Sequence, residues 1–156
     1  MKVAATLTVN GTSYPVELDP HISLLRAVRE ELGLTGSKEG CDDSECGACM
    51  MLLDGAPVNA CSYLAMQAVG REVTTVEGLA GDEEVSPLQR AFLQQFGVQC
   101  GFCTPGMLIS AKALLDRNPQ PDEEEIRLAL SGNLCRCTGD SGIVRAVQEA
   151  AAELAR

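Results

Sequence analysis

Residues 41–49 read CDDSECGAC, and this stretch decides how the first half of the chain folds. Four residues separate Cys41 from Cys46, two separate Cys46 from Cys49, and eleven more precede Cys61. Glycines flank the three closely spaced cysteines, so we predict a loop whose backbone folds tightly around whatever the thiols bind. These four cysteines are called the first set.

The spacing of four and then two residues within the first set is typical of plant-type [2Fe–2S] ferredoxins. Three thiolates from one loop can wrap a small binuclear cluster, and the fourth reaches it from the far end of a predicted hairpin. N–H groups of a glycine-rich backbone can offset the negative charge of such a cluster. The alternative is a zinc ion with four cysteine ligands, although zinc sites favour paired Cys-x2-Cys units.

The second set of four cysteines is Cys100-Gly-Phe-Cys103 and Cys135-Arg-Cys137. Both pairs fall between predicted helices, so their thiols can converge at one end of a helical domain. Taken alone, this spacing is ambiguous, because zinc ribbons, redox dithiols and iron–sulfur clusters all use Cys-x2-Cys. Grouped cysteines in a chain without a visible secretory signal bind metal more often than they form disulfides.

The pattern of apolar residues predicts a β-rich first half. Alternating apolar side chains on both sides of Asn10-Gly11 predict a two-residue hairpin. A second hairpin is predicted around Asp54-Gly55, and a further strand over residues 73–76. Between the hairpins, Ser23 is placed to cap a helix.

The second half reads as helical, with four short helices that suit a small bundle. Ser86-Pro87 and Thr104-Pro105 are typical helix starts, and Asp122 with Glu125 predicts a capping box for a third helix. The helix that begins at Ser86 is expected to bury Phe96 with its other apolar side chains.

The predicted boundary lies in the segment 78–84, GLAGDEE, which gives domains of residues 1–77 and 78–156. At this size a hydrophobic core alone provides marginal stability, and a metal site in each half would add to it. We therefore expect an α+β chain with one metal site in each domain.

Composition excludes several classes of function. The chain has 22 Asp and Glu against 12 Lys and Arg, and without a basic cluster it is not expected to bind nucleic acid. No apolar run approaches roughly 18 residues, so no membrane span is expected. Without a recognisable leader, the protein is expected to be cytoplasmic. No catalytic triad or carboxylate pair is found, so no catalytic residue is predicted.

Three motifs together resemble the iron–sulfur subunit or domain of the xanthine oxidase family: residues 35–49 (TGSKEGCDDSECGAC), 99–106 (QCGFCTPG) and 131–139 (SGNLCRCTG). This family comprises the molybdenum hydroxylases, which include carbon monoxide dehydrogenase and 4-hydroxybenzoyl-CoA reductase. The resemblance covers almost the whole chain, and the combination of both cysteine sets is highly specific.

The resemblance implies a β-grasp ferredoxin-like domain followed by a four-helix bundle, each with one [2Fe–2S] cluster. It implies a large molybdopterin-binding subunit, a medium FAD-binding subunit and a dimer of heterotrimers. Electrons would run from molybdenum through both clusters to FAD, so the chain would be the electron-transfer subunit of a molybdenum–flavin oxidoreductase. Gln99 and Cys137 match positions where family members contact the pterin. The implied cluster ligands are Cys41, Cys46, Cys49, Cys61, Cys100, Cys103, Cys135 and Cys137.

Two other functions compete with this interpretation. One is a free two-cluster ferredoxin, and the other is a zinc-stabilised scaffold without redox chemistry. The chain also departs from the family pattern at three places. Ser44 stands where glycine is usual, and Met50 and Met51 stand where a small residue and valine usually follow the third cysteine. Asp140 and Ser141 stand where an aromatic residue usually follows the last Thr-Gly.

Overall fold

The first half of the chain forms a mixed five-stranded sheet. A computed structural model describes residues 1–81 and 85–155, so the predicted connection over 78–84 lies partly outside the described residues. The order across the sheet is β2-β1-β5-β3-β4, with β1 and β5 parallel and the other neighbours antiparallel. The strands are β1 (Val3–Val9), β2 (Thr12–Leu18), β3 (Met50–Leu53), β4 (Ala56–Asn59) and β5 (Glu72–Thr74).

Both predicted hairpins are confirmed. Strands β1 and β2 join at Asn10-Gly11, and β3 and β4 join at Asp54-Gly55. All four turn residues have positive φ, which a tight two-residue hairpin requires and which Asn-Gly and Asp-Gly adopt at low cost. The second hairpin places Cys49 and Cys61 beside each other, because one precedes β3 and the other follows β4.

A short helix packs its apolar side chains beneath the sheet. Ser23 caps it as predicted, since its hydroxyl accepts the Arg26 N–H at 3.3 Å. Helix α1 (Leu24–Arg26) continues as one wider turn of π-type, Ala27–Glu31. This segment and the inner face of the sheet share one buried core.

Within its described residues, the second half contains four helices that share one buried core. The predicted starts are confirmed, since Ser86 caps the first helix and Asp122 forms a capping box with Glu125. None of the helices in the described residues is both long and apolar enough to cross a membrane. The helices are α2 (Pro87–Gln94), α3 (Thr104–Arg117), α4 (Glu123–Leu130) and α5 (Ser141–Leu154).

The prediction that Phe96 is buried is wrong. Helix α2 ends at Gln94, and Phe96 adopts a φ of 56° in the following turn, where it is 81% exposed. Because the helical period stops before Phe96, its side chain does not follow the buried face of α2.

The two halves meet at the loop that carries the first cysteine set. The buried Asn133 side chain donates to the Gly47 carbonyl at 3.0 Å and accepts from the Ser110 hydroxyl at 2.7 Å. A Cβ atom added at Gly106 of α3 would overlap the same Gly47 carbonyl. The helical half therefore holds the cysteine loop by direct backbone contact.

Candidate metal centres

The first set lies where the cysteine loop meets the β3–β4 hairpin. Cys41 and Cys46 are half-buried on the loop, whereas Cys49 and Cys61 are buried at the ends of the hairpin. The antiparallel pairing of β3 with β4 keeps these last two residues close together. All eight cysteines of the chain are free thiols.

The four thiols of the first set form two contacting pairs. Burial and the neighbouring Cys41 thiol raise the pKa of Cys46, and burial and the neighbouring Cys61 thiol raise the pKa of Cys49. The Cys46 N–H also donates to Cys41 Sγ at 3.4 Å. A binuclear cluster needs four thiolates in two pairs, because each of its two irons binds two of them.

Burial and backbone donors act in opposite directions on the thiols of the first set. Burial raises the pKa of the Cys49 thiol to about 12. The Asp43 side chain raises the pKa of Cys41, but three backbone N–H donors of the loop outweigh it and lower this pKa overall. The same N–H groups stabilise a thiolate, which is the form in which cysteine binds iron.

The second set lies at the start of α3 and in the turn before α5. Cys100 and Cys103 precede α3, and Cys135 and Cys137 lie between α4 and α5. The Sγ atoms of Cys137 and Cys100 are 3.5 Å apart, and burial together with the neighbouring Cys135 thiol raises the pKa of Cys103. This set therefore also consists of two thiol pairs.

The second set is more exposed than the first. Cys100 and Cys137 are exposed, and Cys103 and Cys135 are half-buried. Burial raises the pKa of Cys103 to about 12. Burial also raises the pKa of Cys135, but hydrogen bonds from the Thr138 hydroxyl and backbone outweigh it, so this pKa is lowered overall.

The surroundings of both sets fit a [2Fe–2S] cluster. A Cβ atom added at Gly40 would lie 2.8 Å from Cys46 Sγ, so a larger residue would crowd the thiols. Thr104 Oγ1, next to Cys103, is buried and has no hydrogen-bond partner within the described residues. A sulfide ion of a cluster would give this hydroxyl an acceptor. Across residues 1–81 and 85–155, no three Cys, His, Asp or Glu side chains are grouped as one metal ion would need.

A backbone hydrogen bond connects the two sets. The Leu134 N–H donates to the Cys46 carbonyl at 2.9 Å. Cys46 belongs to the first set, and Leu134 directly precedes Cys135 of the second. The chain therefore has a short covalent and hydrogen-bonded route between a thiol of one set and a thiol of the other.

The structure places Cys41 next to Cys46 in the first set and Cys100 next to Cys137 in the second, and it leaves Gln99 exposed beside Cys100. The sequence pattern did not indicate Thr138 and Asn133, which contact a thiol and the cysteine loop respectively. A hydroxyl residue just after Cys137 is a signal that could have identified Thr138. No local signal identifies Asn133, because its partner Gly47 is 86 residues away.

Two family models match the chain over its two halves. One is described as a 2Fe–2S iron–sulfur cluster binding domain and matches residues 7–79. The other is described as a [2Fe–2S] binding domain and matches residues 75–148. The fold and the two thiol sets therefore define a class of iron–sulfur protein that has two [2Fe–2S] clusters as its cofactors.

Similarity to known proteins shows which family within this class of iron–sulfur proteins the chain resembles. The chain is 50% identical to the nicotinate dehydrogenase small FeS subunit of Eubacterium barkeri, over 96% of this chain and 95% of that subunit. It is 48% identical to the nicotine 6-hydroxylase small subunit of Paenarthrobacter nicotinovorans, over 98% of this chain and 92% of that subunit. A crystal structure of quinoline 2-oxidoreductase from Pseudomonas putida 86 superposes with a TM-score of 0.95 at 45% identity, covering 99% of this chain and 96% of that one.

The chain belongs to the iron–sulfur small subunits of the molybdenum hydroxylase family. Within this family it is the electron-transfer subunit of an oxidoreductase. These relatives do not favour a free ferredoxin or a zinc-stabilised scaffold.

Proposed function

We propose that electrons enter this chain at the second cysteine set, pass to the first set, and leave from there to FAD. The hydrogen bond from the Leu134 N–H to the Cys46 carbonyl is the observation that connects the two sets in series, and the direction of flow is the one that the family resemblance implies. When bound, each cluster supplies one-electron chemistry, since one of its irons changes between Fe(III) and Fe(II).

The difference in exposure supports a partner at the second set. Phe96, Phe102 and Leu134 are 81%, 47% and 62% exposed, and the last two are next to cysteines of this set. Exposed apolar side chains around two exposed thiols suit a protein interface. We assign this surface to a large molybdopterin-binding subunit, with Gln99 and Cys137 in contact with the pterin.

The first set is assigned to a medium FAD-binding subunit, and the whole enzyme to a dimer of heterotrimers. Several relatives carry the names of small subunits, which supports a chain that works with larger partners. The eight free thiols suit a reducing compartment, so we place the enzyme in the cytoplasm.

The finer description of the fold is also a proposal. A sheet with β1 and β5 parallel at its centre and α1 packed beneath it supports a β-grasp domain over residues 1–77. Helices α2 to α5 around one core support a four-helix bundle over residues 78–156. The family models meet at residues 75–79, close to this boundary.

The proposed order is tested in the assembled enzyme with Cys46→Ala and Cys103→Ala. In the Cys46 variant, substrate should still reduce the second-set cluster, whereas flavin reduction should collapse. In the Cys103 variant, neither the first-set cluster nor the flavin should be reduced by substrate. Electron paramagnetic resonance (EPR) follows the clusters, and visible absorbance follows the flavin.

Subunit composition and iron content are measured alongside, because loss of metal can unfold a small domain. A Cys46 variant that stays assembled, keeps its second-set cluster and reduces flavin at the normal rate would show that the order is wrong.

A further inference from the structure

Thr138 makes two contacts with one thiol of the second set. Its Oγ1 lies 3.1 Å from Cys135 Sγ, and its backbone N–H donates to the same sulfur at 3.4 Å. No other thiol of the second set has a hydroxyl contact among the hydrogen bonds of the described residues.

The direction of the hydroxyl hydrogen bond follows from the other contact of Thr138. The Asp140 N–H donates to Thr138 Oγ1 at 3.3 Å, so this oxygen already acts as an acceptor there. Its own proton is then free to point at Cys135 Sγ. A thiolate that binds iron has no proton to give and can only accept, so the hydroxyl must be the donor.

We propose that the Thr138 hydroxyl sets the reduction potential of the second-set cluster by donating a hydrogen bond to the Cys135 thiolate. Reduction adds one electron, converts one Fe(III) to Fe(II) and moves no proton, so the cluster and its thiolates become more negative by one charge. A hydrogen bond to a more negative sulfur is stronger. The hydroxyl therefore stabilises the reduced form more than the oxidised form and raises the potential.

This inference rests on the proposed function only in that it assumes a [2Fe–2S] cluster at the second set. A higher potential makes this cluster a better electron acceptor. The residue acts through Cys135 and is therefore a positioning and tuning residue. Replacing Thr138 should therefore change the reduction potential of the second-set cluster, which a residue with a purely structural role would leave unchanged.

The test compares Thr138→Val with Thr138→Ser in the full chain loaded with iron and sulfide. Valine keeps the branched shape and the backbone N–H but lacks the hydroxyl proton, whereas serine keeps the hydroxyl. The Asp140 N–H loses its acceptor in the valine variant. Because Asp140 is exposed, a water molecule can accept this hydrogen bond instead. Potentials are read from the reduced-cluster EPR signals in a titration with dithionite and redox mediators.

We expect Thr138→Val to shift the second-set signal to lower potential and to leave the first-set signal unchanged. Thr138→Ser should retain the wild-type potential. A Cys46→Ala chain, which lacks one ligand of the first set, assigns the two signals. Thr138→Ala provides a second variant without the hydroxyl, and it should shift in the same direction as the valine variant.

Two outcomes would contradict the proposals, and they are distinguishable. A wild-type chain that takes up no iron and gives no EPR signal would overturn the proposed function itself. Loaded variants in which valine and alanine leave the potential unchanged, or in which serine shifts it as far as valine does, would overturn only the role of the Thr138 hydroxyl.

Discussion

The two cysteine sets have the same composition and pairing but different surroundings. In the first set, Cys49 and Cys61 are 2% and 7% exposed, held between the loop and the β3–β4 hairpin. In the second set, Cys100 and Cys137 are exposed at the end of the helical half. Paired thiols at both places suit a binuclear site, while the surrounding fold decides whether that site is sealed or open to solvent.

The two sets also differ in how hydrogen bonds reach the sulfurs. In the first set, backbone N–H groups of the loop donate to Cys41. In the second set, one residue, Thr138, supplies both a side-chain hydroxyl and a backbone N–H to Cys135. A side-chain hydroxyl can be removed by a substitution, whereas a backbone N–H cannot, so the second set should be easier to change by a single substitution.

The largest expected effect is the loss of one cluster at a time. Two [2Fe–2S] clusters correspond to four irons per chain. Cys49→Ala and Cys103→Ala should each reduce the iron content to two per chain, because each removes a ligand from only one set. Chemical iron analysis combined with EPR checks this prediction. A single variant that loses all four irons while its helical content is unchanged would mean that the sets do not load independently.

The next largest effect is expected from the difference in solvent exposure between the two cysteine sets. In the isolated chain, an iron chelator should remove the second-set cluster first, because Cys100 and Cys137 are open to solvent and Cys49 and Cys61 are not. The assembled enzyme should lose this selectivity, because the proposed large subunit would cover the second set. The decay of the two EPR signals during chelation measures both rates. Equal rates in the isolated chain would show that exposure does not control iron release.

Much of this arrangement could be predicted from the sequence because it depends on local signals. Asn10-Gly11 and Asp54-Gly55 favour tight hairpins by backbone conformation alone, and both hairpins form. The capping box at Asp122 likewise needs only residues three apart. The closeness of Cys49 and Cys61 also follows from the second hairpin, because one precedes β3 and the other follows β4.

Contacts between the halves could not be predicted in this way. The contact of Asn133 with Gly47 spans 86 residues, and neither residue differs locally from many others in loops. The exposure of Phe96 was mispredicted because a helical period was extended into a turn of positive φ. The sequence pattern therefore does not determine tertiary contacts or the residue at which a helix ends.

A smaller effect is expected at the contact that joins the two halves of the chain. Gly106→Ala places a methyl group against the Gly47 carbonyl and should lower the free energy of unfolding by about 1–3 kcal/mol. Gly132→Ala is the matched control, because a Cβ atom there has nothing within 4 Å. Its effect should be within about 0.5 kcal/mol. Chemical denaturation of the loaded chains measures both, and equal destabilisation would show that the Gly106 contact is not closely packed.

The smallest effect concerns Ser44, where the family usually has glycine. Ser44 has a φ of 67°, which explains the preference for glycine, and its hydroxyl hydrogen bonds to Ser62. Ser44 Oγ lies 4.0 Å from Cys61 Sγ, compared with 3.1 Å between Thr138 Oγ1 and Cys135 Sγ. We therefore expect Ser44→Ala to lower the potential of the first-set cluster by less than Thr138→Val lowers that of the second.

Ser44→Gly separates the hydroxyl from the backbone. It removes the same hydroxyl and also releases strain of about 1–2 kcal/mol, which the greater chain entropy of glycine offsets by about 0.5–1 kcal/mol. The glycine variant should therefore be slightly more stable than the alanine variant, while both show the same potential. EPR-monitored titration and denaturation of the two loaded chains provide the measurement. If the two potentials differ from each other, the backbone of the loop, and not the Ser44 hydroxyl, determines the potential of the first set.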